Sequence, residues 1–384
     1  MDKNYTMIIE RAIKKTFLQK MQPNKVMVLL GARRVGKTFF IQQLIKNDFK
    51  EPMLEINGED MAAAEMLSKR TVENYKTLIG NNKILIIDEA QKIPDIGLIL
   101  KLIVDTIEGI KIIATGSSMF DLSNKLGEPL TGRKYTFNLY PFSQMEFSKM
   151  ENPVQINSRL EERLIYGSYP ELQECADHTA KSSYLNELVN SYLLKDILEY
   201  DGVRQSSKML GLLRMIAFQI GREVSLEELG RNLGLSRNTV ERHLDLLTKV
   251  FVIYKLQGFS RNLRNEITKT AKWFFYDNGI RNALIANFNP LSLRNDVGEL
   301  WENYILSERI KFQQYAEMPV NNFFWRTYQQ QEIDWVEDRG GNLFAYEIKW
   351  NAGKKIKEPN AWKQAYPGSK FEVISSGNYL NWIM

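Results

Sequence analysis

A short glycine-rich segment constrains the fold of this chain more than any other feature of its sequence. Residues 31–38 read G-A-R-R-V-G-K-T and match the pattern G-x-x-x-x-G-K-[ST]. A β-rich run precedes them at residues 26–30, and a helical run follows at residues 39–45. Glycine lets the backbone wrap around phosphate oxygens, so that consecutive amides and the start of the helix face the anion. The segment therefore predicts a P-loop, the phosphate-binding loop between a strand and a helix.

The side chains of this loop suit ATP and Mg²⁺. We expect Lys37 to reach the β- and γ-phosphates and Thr38 to bind Mg²⁺ through its hydroxyl. The other residues predicted to bind the nucleotide here are Gly31, Arg34, Val35, Gly36 and Phe39. Arg33 and Arg34 make the loop unusually basic, and the sequence leaves open whether they contact phosphate, a partner or solvent.

A second apolar run ends in two neighbouring carboxylates. Residues 84–87 read I-L-I-I, which predicts a central buried strand, and they lead directly into Asp88 and Glu89. We expect Asp88 to bind Mg²⁺ and Glu89 to polarise the attacking water as a general base. The alternative is a solvated strand end that carries two acids.

Two further positions complete the predicted ATP site. Residues 112–118 predict another central strand with a polar exit, which would place Thr115 or Ser117 beside the γ-phosphate, although a plain strand-ending turn explains Gly116 equally well. Arg133 follows the next loop, and we expect it to stabilise transition-state charge on a neighbouring subunit's nucleotide. The alternative for Arg133 is an ordinary surface arginine. The predicted catalytic residues are thus Glu89, Lys37 and Arg133.

Residues 224–247 have the spacing of a helix-turn-helix. Ser225 is placed to cap the first helix, Gly234 allows a tight turn, and Ser236 is placed to cap the second helix. The strand-like residues 250–256 predict a winged version. The residues that would face a DNA groove are Arg237, Asn238 and Arg242, with further cations at Arg261 and Arg264. The alternative is a module used for packing or oligomerisation.

The C-terminal part carries a weaker acidic pattern. Glu347 and Lys349 share one face of a predicted strand, because strand side chains repeat every two residues. If the hairpin that turns at residues 338–341 registers normally, Asp334 lies beside Glu347. Two carboxylates and an ammonium would then converge, and Asp334 and Glu347 could hold Mg²⁺ against a phosphodiester, with Glu302 as a further acid. A polar hairpin face with opposite-charge pairs would give the same pattern.

Composition narrows the cellular setting. The single cysteine, Cys175, cannot form an internal disulfide, and the Cys and His residues form no zinc pattern, so we expect a reducing cytoplasm. We expect neither a signal peptide nor a membrane helix, because charges interrupt every apolar stretch well short of roughly 20 residues. A net charge of +5 is too small to establish a nucleic-acid partner.

The patterns divide the chain into four predicted parts. Residues 1–141 alternate strands and helices, which predicts an α/β core with a parallel sheet. A helical lid or connector is predicted at residues 142–218, the winged helix-turn-helix at residues 219–272, and another α/β domain at residues 273–384.

Together these motifs resemble a prokaryotic AAA+ P-loop ATPase family with a winged helix and a C-terminal restriction-endonuclease-like domain of the DUF4143 type. The resemblance covers nearly the whole chain and rests on residues 31–38, 85–91, 115–118, 130–133, 169–171, 298–303, 332–334 and 347–349. It implies that Glu302, Asp334, Glu347 and Lys349 correspond to a PD-(D/E)xK-type site, with Ile333 where that signature places Pro.

Two functions follow from the sequence. The first is an ATP-binding and ATP-hydrolysing AAA+ protein that acts on or with DNA, with ATP and Mg²⁺ as cofactors, no membrane partner and, through Arg133, a homo-oligomer. The alternative is a nucleotide-dependent switch or scaffold that binds a protein partner and carries an inactive nuclease-like domain. The mild charge, the acidic residues on the second helix of the helix-turn-helix and the incomplete nuclease signature favour this alternative.

Overall fold

The computed structural model describes residues 8–117, 130–193, 206–261, 271–351, 353 and 356–384. The chain forms two compact units. The N-terminal unit comprises Glu10–Tyr140 and Lys249–Phe251, and the C-terminal unit comprises Pro141–Thr248 and Val252–Met384. The division into four parts remains a prediction.

A five-stranded parallel sheet forms the centre of the N-terminal unit. Its strands are β1 (Lys25–Leu30), β2 (Met53–Asn57), β3 (Ile84–Asp88), β4 (Lys111–Gly116) and β5 (Lys134–Asn138). They lie in the order β2-β3-β4-β1-β5, and each neighbouring pair is parallel. The three central strands are almost wholly buried, as expected for a parallel sheet covered on both faces. The predicted α/β fold with a parallel sheet is confirmed.

Helices connect these strands. They are α1 (Lys14–Lys20), α2 (Lys37–Asn47), α3 (Met61–Ser68), α4 (Val72–Ile79), a 3₁₀ turn (Ala90–Lys92) and α5 (Ile96–Thr106). Asp60 and Thr71 cap α3 and α4 by accepting backbone amide hydrogen bonds in their first turns. Since the strands are parallel, the segments that follow β1, β3 and β4 all emerge at one edge of the sheet. Ligands of open α/β sheets bind at this carboxyl edge.

The first part of the C-terminal unit is helical. Its helices are α6 (Gln144–Phe147), α7 (Pro153–Tyr166), α8 (His178–Glu187), a π-helical turn (Leu188–Leu193), α9 (Ser206–Phe218), α10 (Leu226–Leu233) and α11 (Arg237–Lys249). Asn152 forms a capping box at the start of α7 and Pro153 occupies its first turn, so this start is encoded locally.

Helices α10 and α11 form the predicted helix-turn-helix. Gly234 adopts a φ of +61° at the end of α10, which is the left-handed conformation that glycine accommodates best. The Ser225 hydroxyl accepts the amide hydrogen bond of Glu228 at 3.3 Å, and the Ser236 hydroxyl accepts that of Thr239 at 3.2 Å. Leu229 of α10 and Leu244 and Leu247 of α11 are buried.

A six-stranded mixed sheet forms the rest of the C-terminal unit. Its strands are β6 (Ile253–Gly258), β7 (Ala271–Phe275), β8 (Asn321–Arg326), β9 (Glu332–Arg339), β10 (Asn342–Lys349) and β11 (Lys370–Ser375), in the order β11-β10-β9-β8-β6-β7. The remaining helices are α12 (Asn278–Leu284), α13 (Val297–Tyr315), α14 (Asn360–Ala365) and α15 (Leu380–Ile383). Helix α13 packs against β7 and β10.

The strand predicted to be a wing is shared with this sheet. It begins at Ile253 rather than at residue 250, and it pairs antiparallel with β7 and parallel with β8. The boundary predicted between residues 272 and 273 falls inside β7. The sequence could not reveal this arrangement, because pairing between distant strands leaves no local periodicity to read.

Candidate functional site

The loop of residues 31–38 has the backbone of a phosphate cradle. Arg34 and Gly36 have φ angles of +64° and +92°, so the chain turns sharply before α2 begins at Lys37. A Cβ atom on Gly31 would lie 2.2 Å from the backbone oxygen of Leu139. Glycine is therefore required at position 31 by the close approach of the chain that follows β5.

Lys37 lies inside this loop. Its side chain is buried, and its ammonium group donates hydrogen bonds to the backbone oxygens of Gly31 at 2.9 Å and Ala32 at 3.0 Å. The charge is thus held over the loop at the carboxyl edge of the sheet. The loop, the lysine and the start of α2 together suit an anionic ligand.

The carboxylate of Asp88 accepts hydrogen bonds from hydroxyl groups on two sides. Thr38 Oγ1 donates to Asp88 Oδ2 at 2.8 Å, and Thr115 Oγ1 donates to Asp88 Oδ1. The two residues predicted to bind Mg²⁺, Thr38 and Asp88, are therefore in direct contact, and hydroxyl and carboxylate oxygens are ligands that Mg²⁺ accepts. Thr115 is fully buried and contacts the carboxylate of Asp88, and a γ-phosphate sensor at Thr115 or Ser117 remains a prediction.

Glu89 follows Asp88 in a strained conformation. Its φ of +48° costs a non-glycine residue on the order of 1–2 kcal/mol. Its amide donates to Asp88 Oδ1 and to Thr115 Oγ1, both at 3.2 Å. Gly58 packs so closely here that an added Cβ would lie 2.4 Å from the backbone oxygen of Glu89. Gly58 was not among the predicted site residues, and its place directly after β2 is the signal that could have marked it.

A cavity of about 260 Å³ opens beside the threonine and aspartate. Side chains of α2, β2, β3 and β4 line it, among them Thr38, Asp88, Thr115, Glu55 and Asn57. The carboxylate of Glu55 accepts a hydrogen bond from Gln42 Nε2 at 3.0 Å. Glu55 and Asn57 were not among the predicted site residues. They reach the site because β2 and β3 run side by side, with Asn57 opposite Asp88.

Arg133 lies at the amino edge of the parallel sheet, where the strands begin, and the P-loop lies at the opposite, carboxyl edge. It directly precedes β5, and its backbone oxygen accepts the amide hydrogen bond of Val26, near the start of β1. The length of a strand, roughly 17 Å, separates this edge from the P-loop. Its Nε is 2.8 Å from Asp105 Oδ1 in a partly exposed ion pair. A role on the nucleotide of a neighbouring subunit remains a prediction.

The acidic residues of the C-terminal unit converge on Lys349. Its ammonium nitrogen lies 2.7 Å from Glu347 Oε1 and 3.2 Å from Asp334 Oδ2. Asp334 Oδ2 also accepts the backbone amide of Ile348 at 2.8 Å. The hairpin of β9 and β10 therefore brings together the three groups that the sequence placed on one face.

Two more charged groups, Glu302 and Lys272, enlarge this cluster. Burial raises the pKa of Glu302 to about 8, and the charge of Asp334 contributes to the rise. Burial alone would lower the pKa of Lys272, but the carboxylates of Glu302 and Glu332 raise it above its ordinary value. Lys272 contacts Glu332 directly. Lys272 was not among the predicted site residues and belongs to the cluster because of its position on β7.

This cluster, as arranged, suits ammonium groups better than a divalent metal. Lys349 takes up the facing oxygens of Asp334 and Glu347, the predicted Mg²⁺ ligands. In the part of the chain that the structure describes, no group of three or more His, Cys, Asp or Glu side chains is arranged to hold a metal ion.

The predicted DNA-contact residues lie on the exposed side of α11. Arg237, Asn238 and Arg242 are all exposed, and Arg237 forms an ion pair with Glu227 of α10 at 3.1 Å. Arg261 is exposed and lies 3.4 Å from Asp338, whereas Arg264 lies outside the described residues.

The parallel sheet and the loop at residues 31–38 are the elements of a nucleotide-binding P-loop fold. A protein-family model described as an AAA domain matches residues 23–148 of this chain. Two models described as domains of unknown function, DUF8612 and DUF4143, match residues 157–291 and 297–379.

The most similar curated relatives include three uncharacterized proteins. One from Methanocaldococcus jannaschii is 24% identical over 377 residues, which cover 93% of this chain and 82% of that protein. One from Mycobacterium tuberculosis is 26% identical, and the match covers 84% of this chain and 70% of that protein. One from Haemophilus influenzae is 27% identical, and the match covers 67% of this chain and 68% of that protein.

Solved structures give only distant similarity. The ORC1 protein of Aeropyrum pernix in complex with DNA is 12% identical, with a TM-score of 0.31, and covers 73% of this chain and 93% of its own. A Pif1 helicase from Bacteroides, in complex with ADP-AlF3 and single-stranded DNA, is 16% identical, with a TM-score of 0.26. The match covers 48% of this chain and 51% of the helicase chain. Within the described residues, no helix is both long enough and apolar enough to cross a membrane.

Proposed function

We propose that this chain binds ATP with Mg²⁺ at the P-loop and hydrolyses the γ-phosphate bond. The contact between Thr38 Oγ1 and Asp88 Oδ2 carries the proposal, because it joins the end of the P-loop to the carboxylate of β3. Lys37 exchanges its bonds to the loop carbonyls for phosphate oxygens. Bound Mg²⁺, held by Thr38 and Asp88, would neutralise charge on the phosphates.

Glu89 acts as the general base in this proposal. Its carboxylate follows the Mg²⁺ ligand directly, and Gln91 donates a hydrogen bond to its Oε2. Oε1 is then the atom that takes the proton from the attacking water. Loss of a positioned base commonly slows a reaction by about 10²-fold to 10⁴-fold.

Steady-state ATP hydrolysis tests the assignment. Lys37→Ala is expected to abolish turnover, and Glu89→Gln is expected to retain ATP affinity while hydrolysis falls by about 10²-fold or more. Lys46→Ala, on the exposed face of α2, serves as the matched control and should behave as wild type. Undiminished turnover in Lys37→Ala rejects the site.

We propose further that the ATPase acts with DNA through the exposed side of α11. The three polar side chains there are of the types that contact phosphates and base edges. Duplex DNA binding should weaken as salt increases, and Arg242→Ala should reduce both the affinity and its dependence on salt. Lys363→Ala, an exposed lysine of α14, is the control. Equal affinity in all three proteins removes the DNA proposal.

The second candidate is a nucleotide-dependent switch that binds a protein partner and does not cut nucleic acid. The ion pairs of Lys349 with Asp334 and Glu347 favour it, because they neutralise both carboxylates that were predicted to bind Mg²⁺. Mg²⁺-dependent nicking of DNA or RNA that disappears in Glu347→Ala would reject this candidate.

A further inference from the structure

We propose that Gln91 is a positioning residue that orients the carboxylate of Glu89 from a fixed support on Ser117. ATP cleavage, rather than ATP binding, then depends on Gln91. This inference rests on the proposed function, since it concerns how the general base of that reaction is held.

The hydrogen bonds of the Gln91 amide are the primary observation. Gln91 is buried in the 3₁₀ turn that follows Glu89. Its Nε2 donates to Glu89 Oε2 and also to Ser117 Oγ, the latter at 3.2 Å. An amide nitrogen carries two hydrogens, so it can hold both acceptors at once. The carboxylate is thereby linked to a buried hydroxyl on a neighbouring segment.

The backbone of Glu89 is held as firmly as its side chain. Its left-handed conformation is fixed by the amide bonds to Asp88 and Thr115 and by the close packing of Gly58. Strain of this kind persists where the surroundings determine the conformation, and it is concentrated at functional sites. Gln91 extends the same restraint to the carboxylate, which otherwise could adopt several rotamers.

Both acids are positioned from the end of one strand. Thr115, the penultimate residue of β4, donates to Asp88, and Ser117, just past the end of β4, supports Gln91 and through it Glu89. The distance between the metal-binding carboxylate and the base is therefore set by one short piece of backbone. A misplacement of about 1 Å in such an arrangement can slow catalysis by about 100-fold.

Replacing Gln91 with leucine tests the proposal, because leucine fills much of the space but donates no hydrogen bond. For Gln91→Leu we expect kcat to fall by about 10-fold to 100-fold. The ATP dissociation constant, measured by direct binding, should change by less than about 3-fold, and the thermal unfolding temperature should stay near that of wild type. Gln43→Leu, on α2, is the matched control and should leave kcat unchanged.

A double-mutant cycle distinguishes positioning from a general structural effect. If Gln91 acts through Glu89, adding Gln91→Leu to Glu89→Gln causes no further loss of kcat, because the group being oriented is already inactive. Losses that multiply, or a parallel loss of ATP affinity, would overturn the inference. Gln91→Asn, which keeps the amide, should recover part of the rate.

Ser117 provides a second route if Gln91→Leu does not fold. Ser117→Ala should lower kcat in the same direction by a smaller factor, and Ser117→Thr, which keeps the hydroxyl, should restore it. If the single variants Ser117→Ala and Gln91→Asn both hydrolyse ATP at the wild-type rate, the inference is contradicted. If the wild-type protein does not hydrolyse ATP, the proposed function itself is wrong. If Gln91→Leu hydrolyses ATP normally, only the role of Gln91 is wrong.

Discussion

The hydroxyl of Thr38 and the carboxylate of Asp88 lie 2.8 Å apart, although fifty residues separate them along the chain. Each ends or begins a different element: Thr38 stands in the first turn of α2, and Asp88 ends β3. The parallel sheet brings these two ends together at its carboxyl edge. The proposed metal-nucleotide site therefore depends on the sheet topology as much as on the loop.

Thr38→Val should weaken binding of ATP only when Mg²⁺ is present. The substitution keeps the β-branched shape and removes the oxygen that is proposed to bind the metal. We expect about 10-fold weaker ATP binding with Mg²⁺, equivalent to about 1.4 kcal/mol, and unchanged binding in EDTA. Thr77→Val, at an exposed position of α4, is the control. An equal loss with and without Mg²⁺ would show that Thr38 has no metal role.

Gly31→Ala should destabilise the N-terminal unit. The new methyl group would lie 2.2 Å from the Leu139 oxygen, so the backbone must move, at a cost of about 1–3 kcal/mol. Denaturant unfolding measures this loss, and ATP affinity should fall with it. Gly298→Ala, where an added Cβ meets nothing within 4 Å, should leave stability almost unchanged. Equal stability of the two variants would contradict the packing at Gly31.

Glu302 should make the free energy of unfolding fall as pH rises. Its ordinary pKa is 4.5 and its folded pKa is about 8, so between these values the folded state holds a proton that the unfolded state has lost. Stability contributed by this group is thus greatest below about pH 4.5 and decreases toward pH 8.

Unfolding of Glu302→Gln at pH 5.5 and pH 8 tests this dependence. The glutamine variant lacks the titrating proton, so its stability relative to wild type should increase with pH. Glu372→Gln, at an exposed position of β11, should show no such relative gain. A constant difference between Glu302→Gln and wild type would mean that Glu302 is ionised in the folded state.

Lys272→Met should destabilise the C-terminal unit strongly. Removing one partner from a buried ionic cluster leaves unpaired carboxylates, which typically costs about 3–5 kcal/mol. Adding Glu332→Gln should recover part of the loss, since Lys272 contacts Glu332 directly. Lys255→Met, on the neighbouring strand β6, is the control because Lys255 is exposed. A small loss in Lys272→Met, comparable to that control, would argue against the buried cluster.

The sequence predicts the parts of this protein that depend on short segments. The P-loop, the strand ending at Asp88 and the caps at Ser225 and Ser236 are encoded within a few neighbouring residues, and the structure has each of them. Strand sharing was not predictable in the same way. β6 joins β8 across more than sixty residues of sequence, as the pair Gln257 and Phe323 shows, and nothing local marks that pairing.

The positioning groups were harder to find for a related reason. Gly58 and Lys272 act through residues far away in sequence, so their roles appear only once the strands are assembled. Gln91 was visible as the last residue of the segment at 85–91, but its target could not be identified. Its importance depends on the left-handed backbone of Glu89, which no sequence pattern specifies.

The most direct test of the nucleotide site compares ATP binding and ATP hydrolysis in the same two proteins. Calorimetry with Mg²⁺ should find similar ATP affinity for wild type and Glu89→Gln, while only wild type releases phosphate at an appreciable rate. Absence of ATP binding in both proteins with Mg²⁺ present would contradict the account.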